Sequence, residues 1–370
     1  MKPNALVFFQ YLPPWRIDVF NEMATYYNLT IVFTDSEHEA FKYNRKELLE
    51  KLDNTIKTIF LTNGFKIGSR PIRLGISKII RDVKPNIIFA HEYSPTNILV
   101  AIYNKLKIFN FQYVITTSDN ILIAKSVKGI KSYFRKFILS TCSSIVVYSN
   151  EVAEFYKKKL SHLRVEICPN IQNPNSLLKN RPFFKKHIEA FITKFDISNH
   201  NIILYTGRLE KVKGLDLLLK AFSKSNNTNF KLVFVGKGSE EHNLRLISKE
   251  LNIEDKVVFA GFYSGEQLYA WYDIANFYIL PSRFEPFGAV VNEALVFGCP
   301  VLASKYIGAK DFINGKNGLL FDPLNEEEFV NKLNLFYSKF KKINTNKQNL
   351  MPISFYDYVK VFDEVYIKNK

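Results

Sequence analysis

Two glutamates lie in and just after a short turn that connects a predicted buried strand at residues 277–281 with a predicted helix at residues 289–297. Glu285 lies in the turn and Glu293 in the helix, whose N-terminal N–H groups favour an anion. Gly288 would let a ligand approach the backbone closely. A carboxylate beside a phosphate is repelled unless it accepts hydrogen bonds from sugar hydroxyls. The stretch predicts a ligand with phosphate between two sugars; alternatively, Glu285 caps the turn and Glu293 is solvated.

Residues 207–214 form a second candidate stretch, which supplies positive charge. They follow a predicted strand at residues 202–205 and precede a helix, so Arg208 and Lys213 would lie at the carboxyl end of a sheet. Two cations in that position could clamp a diphosphate, and Gly207 allows a close turn. Arg and Lys in a loop are also common as solvated surface charges.

Four segments together resemble the retaining glycosyltransferases of family 4, which have the GT-B fold. Residues 285–293 resemble that family's E-x7-E motif, and residues 207–214 resemble its G-R-L-x-x-x-K-G. Residues 235–238 match its G-x-G, and residues 258–262 match its strand that ends in glycine. The similarity extends over residues 201–323 and keeps the family's order along the chain.

The resemblance implies a role for each matching residue. Glu293 would hold the nucleotide ribose, while Glu285 would contact the donor sugar and Phe262 the base, unless Phe262 is a core aromatic. His91 ends a predicted strand where many members have a histidine facing the interdomain cleft, although an isolated histidine is more often structural. The implied catalytic residues are His91, Glu285, Arg208 and Lys213, and the implied donor-binding residues are Gly207, Gly236, Phe262, Phe287, Gly288, Ala289, Val290 and Glu293.

The implied activity is glycosyl transfer with retention of configuration. The donor would be a UDP- or GDP-linked sugar, and the acceptor a glycan or lipid-linked molecule in lipopolysaccharide or exopolysaccharide synthesis. The sequence contains no Asp-x-Asp triplet, so we expect no metal and no cofactor besides the donor substrate.

Two alternative functions remain open. One is a nucleotide-sugar epimerase or a phosphorylase on the same scaffold, of which an epimerase would convert a donor with no acceptor present. A non-enzymatic polyanion-binding or membrane-binding protein would ignore nucleotide sugars. We expect no nucleic-acid partner, because the sequence shows no helix-turn-helix or zinc pattern.

The elements that must position these residues alternate between strand and helix. Near-continuous apolar strands alternating with helices predict parallel sheets covered on both faces, with ligands at the carboxyl ends of the strands. This pattern predicts an α/β fold with two Rossmann-like, doubly wound domains, and the resemblance implies the GT-B architecture, in which the two face across a cleft. The resemblance further implies an acceptor-binding domain at 1–175, a linker at 176–200, a nucleotide-sugar-binding domain at 201–350, and a helix at 351–370 that crosses back to the first domain.

Length and composition fit two cores in a cytoplasmic protein. The chain has 370 residues, 47% of them hydrophobic, and its three cysteines lack metal-ligand spacing, which fits a reducing compartment. The N-terminus reaches two prolines and Arg16 too soon for a signal peptide. We expect a cytoplasmic chain, either free or held on the inner face of the cytoplasmic membrane.

Basic residues are concentrated in one part of this chain, whose net charge is +16. Residues 66–136 contain 13 Lys and Arg against three Asp and Glu, and residues 123–139 mix basic with apolar side chains, as a membrane-surface helix does. An ordinary packed helix, or a bias of genome composition, would give a similar pattern. The expected membrane or acceptor contacts are Arg16, Lys128, Lys131, Arg135 and Lys136.

Overall fold

The computed structural model describes residues 1–35, 44–67, 70–226, 228–340 and 347–367. These residues form two compact units. The first unit combines Met1–Gln172 with Ser354–Lys370, and the second is Asn173–Ile353.

The first unit is built on a seven-stranded parallel sheet. Its strands are β1 (Asn4–Phe9), β2 (Asn28–Phe33), β3 (Lys57–Phe60), β6 (Ile87–His91), β7 (Gln112–Thr116), β8 (Ser144–Val147) and β9 (Arg164–Ile167), with a separate hairpin of β4 (Gly64–Ile67) and β5 (Arg70–Arg73). Its helices are α1 (Ile17–Tyr26), α2 (Arg45–Glu50), α3 (Ile76–Val83), α4 (Pro95–Lys105), α5 (Ile121–Ser126), α6 (Gly129–Thr141) and α7 (Asn150–Lys159). The strand order is β3-β2-β1-β6-β7-β8-β9.

The second unit repeats this plan with six parallel strands. They are β10 (Asn201–Thr206), β11 (Phe230–Val235), β12 (Val257–Gly261), β13 (Phe277–Leu280), β14 (Val301–Ser304) and β15 (Gly318–Phe321), in the order β12-β11-β10-β13-β14-β15. The helices are α8 (Pro174–Leu178), α9 (Phe184–Phe195), α10 (Leu215–Lys224), α11 (Glu241–Glu250), α12 (Gly265–Ile274), α13 (Val290–Val296) and α14 (Glu326–Phe340). The prediction of two Rossmann-like, doubly wound domains is confirmed.

Strand burial explains why both sheets form. Five of the six residues of β1 are buried, as are five of the six of β10, because parallel strands covered by helices on both faces need apolar side chains on both sides. In each sheet the strand order reverses at one point, between β1 and β6 and between β10 and β13. Ligands of doubly wound folds bind at the carboxyl ends of strands at such a point, so each unit has one expected binding edge.

The predicted linker at 176–200 is wrong, because these residues belong to the second unit. Helix α9 packs on α12, with the Phe191 ring stacked on Trp271 at a centroid distance of 4.6 Å. Phe184 is fully buried as well. The boundary between the units instead follows Gln172.

The C-terminal segment returns to the first unit, as predicted for the crossing helix, and forms two helices, α15 (Phe355–Val359) and α16 (Val361–Ile367). The Tyr27 hydroxyl donates a hydrogen bond to the Phe362 carbonyl at 2.7 Å. The Gln112 amide donates to the Val365 carbonyl, also at 2.7 Å. These bonds attach the segment to α1 and to the start of β7.

Candidate functional site

Two turns that contain glycine pack closely against each other at the carboxyl edge of the second sheet. Gly236 follows β11 with φ +156°, and a Cβ atom on it would lie 1.8 Å from the carbonyl oxygen of Gly207, which follows β10. The Gly236 N–H donates to the Gly261 carbonyl, and the Gly207 N–H donates to the Val235 carbonyl. Only glycine permits this approach, so the backbones at the ends of three strands lie in direct contact.

Lys213 and Glu285, 72 residues apart in sequence, form an ion pair between Nζ and Oε2 at this edge. Both side chains are largely buried. The loop carrying Lys213 packs on the end of β13, where a Cβ on Gly214 would lie 2.3 Å from the Pro281 carbonyl oxygen. The turn carrying Glu285 is held by Gly308, whose N–H donates to the Glu285 carbonyl at 3.2 Å. The sequence prediction that these two stretches share one site agrees with this geometry.

An Asp216–Arg283 pair fixes the Lys213 loop, and the sequence analysis missed it. The Arg283 guanidinium donates to both carboxylate oxygens of Asp216, at 2.7 and 2.8 Å, and Lys211 donates to one of them at 2.9 Å. Burial alone would raise the pKa of Asp216, but hydrogen bonds from Arg283 and Lys211 hold it well below its usual range. Arg283 lies two residues before Glu285. This proximity could have drawn attention to Arg283, but not to its partner Asp216.

Glu293 rests on a buried hydroxyl network. The Tyr272 hydroxyl donates to Glu293 Oε2 at 2.7 Å and lies 2.7 Å from Thr206 Oγ1. Burial, then the charge of Glu293, raises the pKa of Tyr272 well above its usual value. Glu293 is therefore a positioned carboxylate, and its interpretation as a solvated helix residue is wrong. The sequence did not single out Tyr272, because nothing near it in sequence pairs it with Glu293.

The remaining donor-site candidates differ in exposure. Phe262 is 66% exposed beyond β12, so it is not a core aromatic. Phe287 is buried against the Phe312 ring, which leaves only its backbone for a ligand. Helix α13 begins at Val290 and has only seven residues, with Ala289 at its N-cap. It is shorter than predicted, and the contribution of its dipole to anion binding is correspondingly small.

Arg208 lies in the same loop as Lys213, but its side chain is exposed. It forms an ion pair with Glu210 at 2.6 Å. Among the contacts of the described residues, none joins Arg208 to Glu285 or Glu293, so the structure does not bring it into the buried cluster.

His91 ends β6 at the binding edge of the first unit. Its Nδ1 lies 2.9 Å from Thr116 Oγ1, and its ring stacks on Phe9 at a centroid distance of 4.0 Å. Burial, assisted by the charge of Arg16, lowers the pKa of His91 to about 3. A neutral imidazole therefore faces a cavity of about 460 Å³, which Glu92 and other side chains of this unit also line.

Two predicted membrane or acceptor contacts are buried. Arg16 is 2% exposed, and its guanidinium lies 5.7 Å from the centroid of the Tyr148 ring. Arg135 forms an ion pair with Asp119 at 2.9 Å and lies over the Tyr93 ring. A membrane contact is therefore wrong for Arg16 and Arg135, because a mixed basic and apolar pattern does not reveal which cations have buried partners. Arg135 also lines the cavity beside His91, so its acceptor contact stays a prediction.

Three of the predicted cations, Lys128, Lys131 and Lys136, are exposed on or beside α6. Ile130 and Tyr133 protrude among them, 71% and 69% exposed. The side chains of two other residues of the basic block, Lys66 and Arg70, lie outside what the structure describes. Within the described part of the chain, no helix is long and apolar enough to cross a membrane.

One family profile matches a segment of this chain that lies within the second unit. Residues 188–349 match the profile of the family described as glycosyl transferases group 1. A lipopolysaccharide 1,2-N-acetylglucosaminetransferase of Salmonella typhimurium is 29% identical over 64% of this chain and 62% of its own length. An N-acetylgalactosamine-N,N'-diacetylbacillosaminyl-diphospho-undecaprenol 4-alpha-N-acetylgalactosaminyltransferase of Campylobacter jejuni is 30% identical over 53% and 57%, respectively.

A solved structure extends the similarity of fold to the whole chain. The crystal structure of Anabaena HepE in complex with UDP and glucose superposes with a TM-score of 0.71 at 18% identity, covering 99% of this chain and all of that one. The fold shared is that of GT-B glycosyltransferases. In sequence, the chain spans between 34% and 62% of the length of three curated relatives that it matches.

Proposed function

We propose that this chain is a group 1 glycosyltransferase, whose family profile its residues 188–349 match, and that it transfers a sugar from a nucleoside diphosphate sugar to a glycan or lipid-linked acceptor. The observation that carries this proposal is the joining of Lys213, Glu285 and the anchored Glu293 at the β10–β13 edge. The UDP bound in HepE supports a UDP-linked donor. The activities named for the Salmonella and Campylobacter relatives support a lipopolysaccharide or lipid-linked glycan as the acceptor.

Glu293 would bind the ribose of the donor. A vicinal diol presents two hydrogen-bond donors to a carboxylate, and the bond from Tyr272 fixes that carboxylate from the core side. The exposed Phe262 ring, beyond the end of β12, offers a face on which the base could stack, a contact worth about 1–3 kcal/mol. The bare glycine turns would let the diphosphate approach the backbone.

Lys213 would stabilise the leaving diphosphate. In the structure its charge is shared with Glu285; a bound diphosphate would compete for Lys213 and leave Glu285 to accept hydrogen bonds from the donor sugar. The exposed Arg208 side chain would add a second cation. Such fixed charges, aimed at the group that gains charge in the transition state, usually supply the largest single part of catalysis.

We propose transfer with retention on the same face of the sugar. The bond between the anomeric carbon and the diphosphate oxygen breaks, and its electron pair stays on the phosphate. The acceptor oxygen bonds to that carbon and its proton passes to the departing phosphate. We propose no metal for this step, since Lys213 supplies a positive charge beside Glu285 and the sequence has no Asp-x-Asp triplet.

We further propose that the first unit attaches to an anionic membrane surface. Lys128, Lys131 and Lys136 would contact lipid headgroups, and the protruding Ile130 and Tyr133 would enter the interface. Such attachment would bring the enzyme to a lipid-linked acceptor. Electrostatic attraction contributes about 1 kcal/mol per basic residue near an anionic surface.

A donor-turnover assay tests the proposed function. The chain is incubated with UDP-glucose, UDP-galactose, UDP-N-acetylglucosamine and GDP-mannose, with and without glycan acceptors, and the released nucleotide and altered sugar are quantified. Acceptor-dependent release of nucleoside diphosphate, lost in Lys213→Met and unaffected by EDTA, is expected. Conversion of the donor sugar at equal rates with and without acceptor would instead favour an epimerase.

A further inference from the structure

The cavity of the first unit contains a carboxylate that the reaction above does not use. Glu92 lies directly after β6, next to His91, and lines this cavity of about 460 Å³ together with Asn97 and Ser118. The cavity lies at the carboxyl ends of β1 and β6, where the strand order of the first sheet reverses. This is the expected binding position of a doubly wound unit.

The backbone at Glu92 is held in a conformation that side chains disfavour. Its φ is +61°, in the left-handed region, which few residues other than glycine adopt. The Glu92 N–H donates to the Thr116 carbonyl at 2.9 Å. The amide of the buried Asn97 donates to both the His91 and Glu92 carbonyls, at 2.8 and 2.6 Å. Several bonds thus impose the strain, a feature that clusters at functional sites.

One oxygen of the Glu92 carboxylate is held by two short hydrogen bonds, and the other accepts only one long hydrogen bond among the described residues. Its Oε1 accepts hydrogen bonds from the N–H and hydroxyl of Ser118, at 2.7 and 2.6 Å. Its Oε2 accepts a single long bond from the Thr117 hydroxyl, at 3.2 Å. The side chain is 36% exposed, so Oε2 has capacity left for a donor supplied by a ligand.

Two acceptor atoms of residues that line the cavity have bonding capacity left, Glu92 Oε2 and Asn97 Oδ1. Asn97 Oδ1 is buried and has no partner among the described residues. The cation in the cavity lining, Arg135, is already bound to Asp119 at both of its terminal nitrogens. A ligand that contacts Glu92 Oε2 must therefore bring a hydrogen-bond donor to it, and a negative charge on that ligand would face the Glu92 carboxylate.

We propose that Glu92 is an acceptor-binding residue that accepts hydrogen bonds from sugar hydroxyls and selects an uncharged acceptor sugar over an anionic one. This inference rests on the proposed transferase function, to which it adds the chemical class of the acceptor. The left-handed backbone and the Asn97 bonds hold the carboxylate in place before the acceptor arrives, which lowers the entropy lost on binding.

The test compares shape-matched neutral and anionic ligands. Methyl glucoside and methyl galactoside are paired with the corresponding methyl uronides, and binding to the full chain is measured by ligand-observed NMR at a pH above the pKa of Asp119. The wild type should bind each neutral glycoside at least about tenfold more tightly than its uronide, the effect of one charge-assisted hydrogen bond. Glu92→Gln should weaken the neutral glycoside by about tenfold and abolish the preference. Glu92→Asp should keep the preference, because it keeps the charge.

The matched control is Glu154→Gln, the same charge change at an exposed position of the same unit; it should leave both affinities unchanged. The proposal is overturned if no neutral glycoside binds the wild type, if the wild type shows no preference, or if Glu92→Gln retains it. The wild-type comparison needs no variant, so it stands even where a substitution impairs folding. Nucleotide-induced thermal stabilisation of the same samples tests the transferase function separately, so failure of the donor site and failure of the Glu92 assignment are distinguishable.

Discussion

The Tyr272 hydroxyl fixes the orientation of Glu293 through one buried hydrogen bond. Replacing Tyr272 with Phe should weaken binding of the preferred nucleotide by about 0.5–1.5 kcal/mol, the usual net value of such a bond. Tyr278→Phe is the control, since that hydroxyl bonds with the side chain and carbonyl of Thr206. Titration calorimetry measures both variants. Equal affinities of the wild type and Tyr272→Phe would show that this bond does not position the ribose-binding carboxylate.

His91 should make the first unit sensitive to acid. Its pKa falls from 6.5 to about 3 on folding, so the unfolded chain binds a proton that the folded chain does not. The stability contributed by the neutral imidazole is complete above pH 6.5 and is lost as the pH falls towards 3. Between these values the loss is about 1.4 kcal/mol per pH unit.

Urea unfolding of the wild type and His91→Gln across this range provides the measurement. The free energy of unfolding of the wild type, minus that of His91→Gln, should fall as the pH falls below 6.5 and should be constant above pH 6.5. The titration of Asp119, whose pKa burial raises to about 6, is common to both proteins and cancels in the difference. A difference that does not change with pH would contradict the account.

For the proposed donor site, the sequence indicated the charged residues but not the residues that hold them. Glu285, Glu293 and Lys213 follow from local motifs at strand ends. Asp216 and Arg283, 67 residues apart, pair through the tertiary fold, and neither has a local sequence signal for the other. The burial of Arg16 and Arg135 was not predictable for the same reason, because burial of a cation depends on distant partners.

At the scale of elements, α9 determines where the second unit begins. Phe191 of α9 stacks on Trp271 of α12. Phe191→Ala should lower the free energy of unfolding by about 3–5 kcal/mol, as for other buried aromatic truncations. Phe183→Ala, at a 70% exposed ring just before α9, should change it by less than about 0.5 kcal/mol. Denaturant unfolding compares the two, and similar small effects would support the linker that the sequence suggested.

Most strands were predictable because buried parallel strands give continuous apolar runs, which are a clear signal when helical patterns separate them. Helix α9 was not predictable, since residues 176–200 lie between two alternating series and begin with turn-forming and basic residues. Its apolar face packs against Trp271, which is distant in sequence. The β4–β5 hairpin and α3 were missed for a related reason, since short elements give weak periodic signals.

At the scale of the whole molecule, the exposed basic and apolar surface of α6 should govern membrane attachment. Reversing Lys128, Lys131 and Lys136 to Glu should abolish flotation of the protein with vesicles rich in anionic lipid, and added salt should weaken wild-type binding. The control reverses Lys157, Lys158 and Lys159, which are equally exposed at the end of α7 in the same unit. Loss of flotation in both triple variants would indicate a general effect of net charge, and loss in neither would contradict membrane attachment through α6.

Thermal shift would show whether the carboxyl edge of the second sheet binds a nucleoside diphosphate sugar. UDP, GDP, ADP, CMP and their common sugar conjugates are compared on the wild type, Glu293→Ala and the control Glu250→Ala, at an exposed position of α11. A ligand at about a hundred times its Kd stabilises by about 2.7 kcal/mol. One nucleotide should raise the Tm of the wild type and of the control, and should leave that of Glu293→Ala unchanged. If no nucleotide stabilises the wild type, or if all three proteins are stabilised equally, the proposed donor site is wrong.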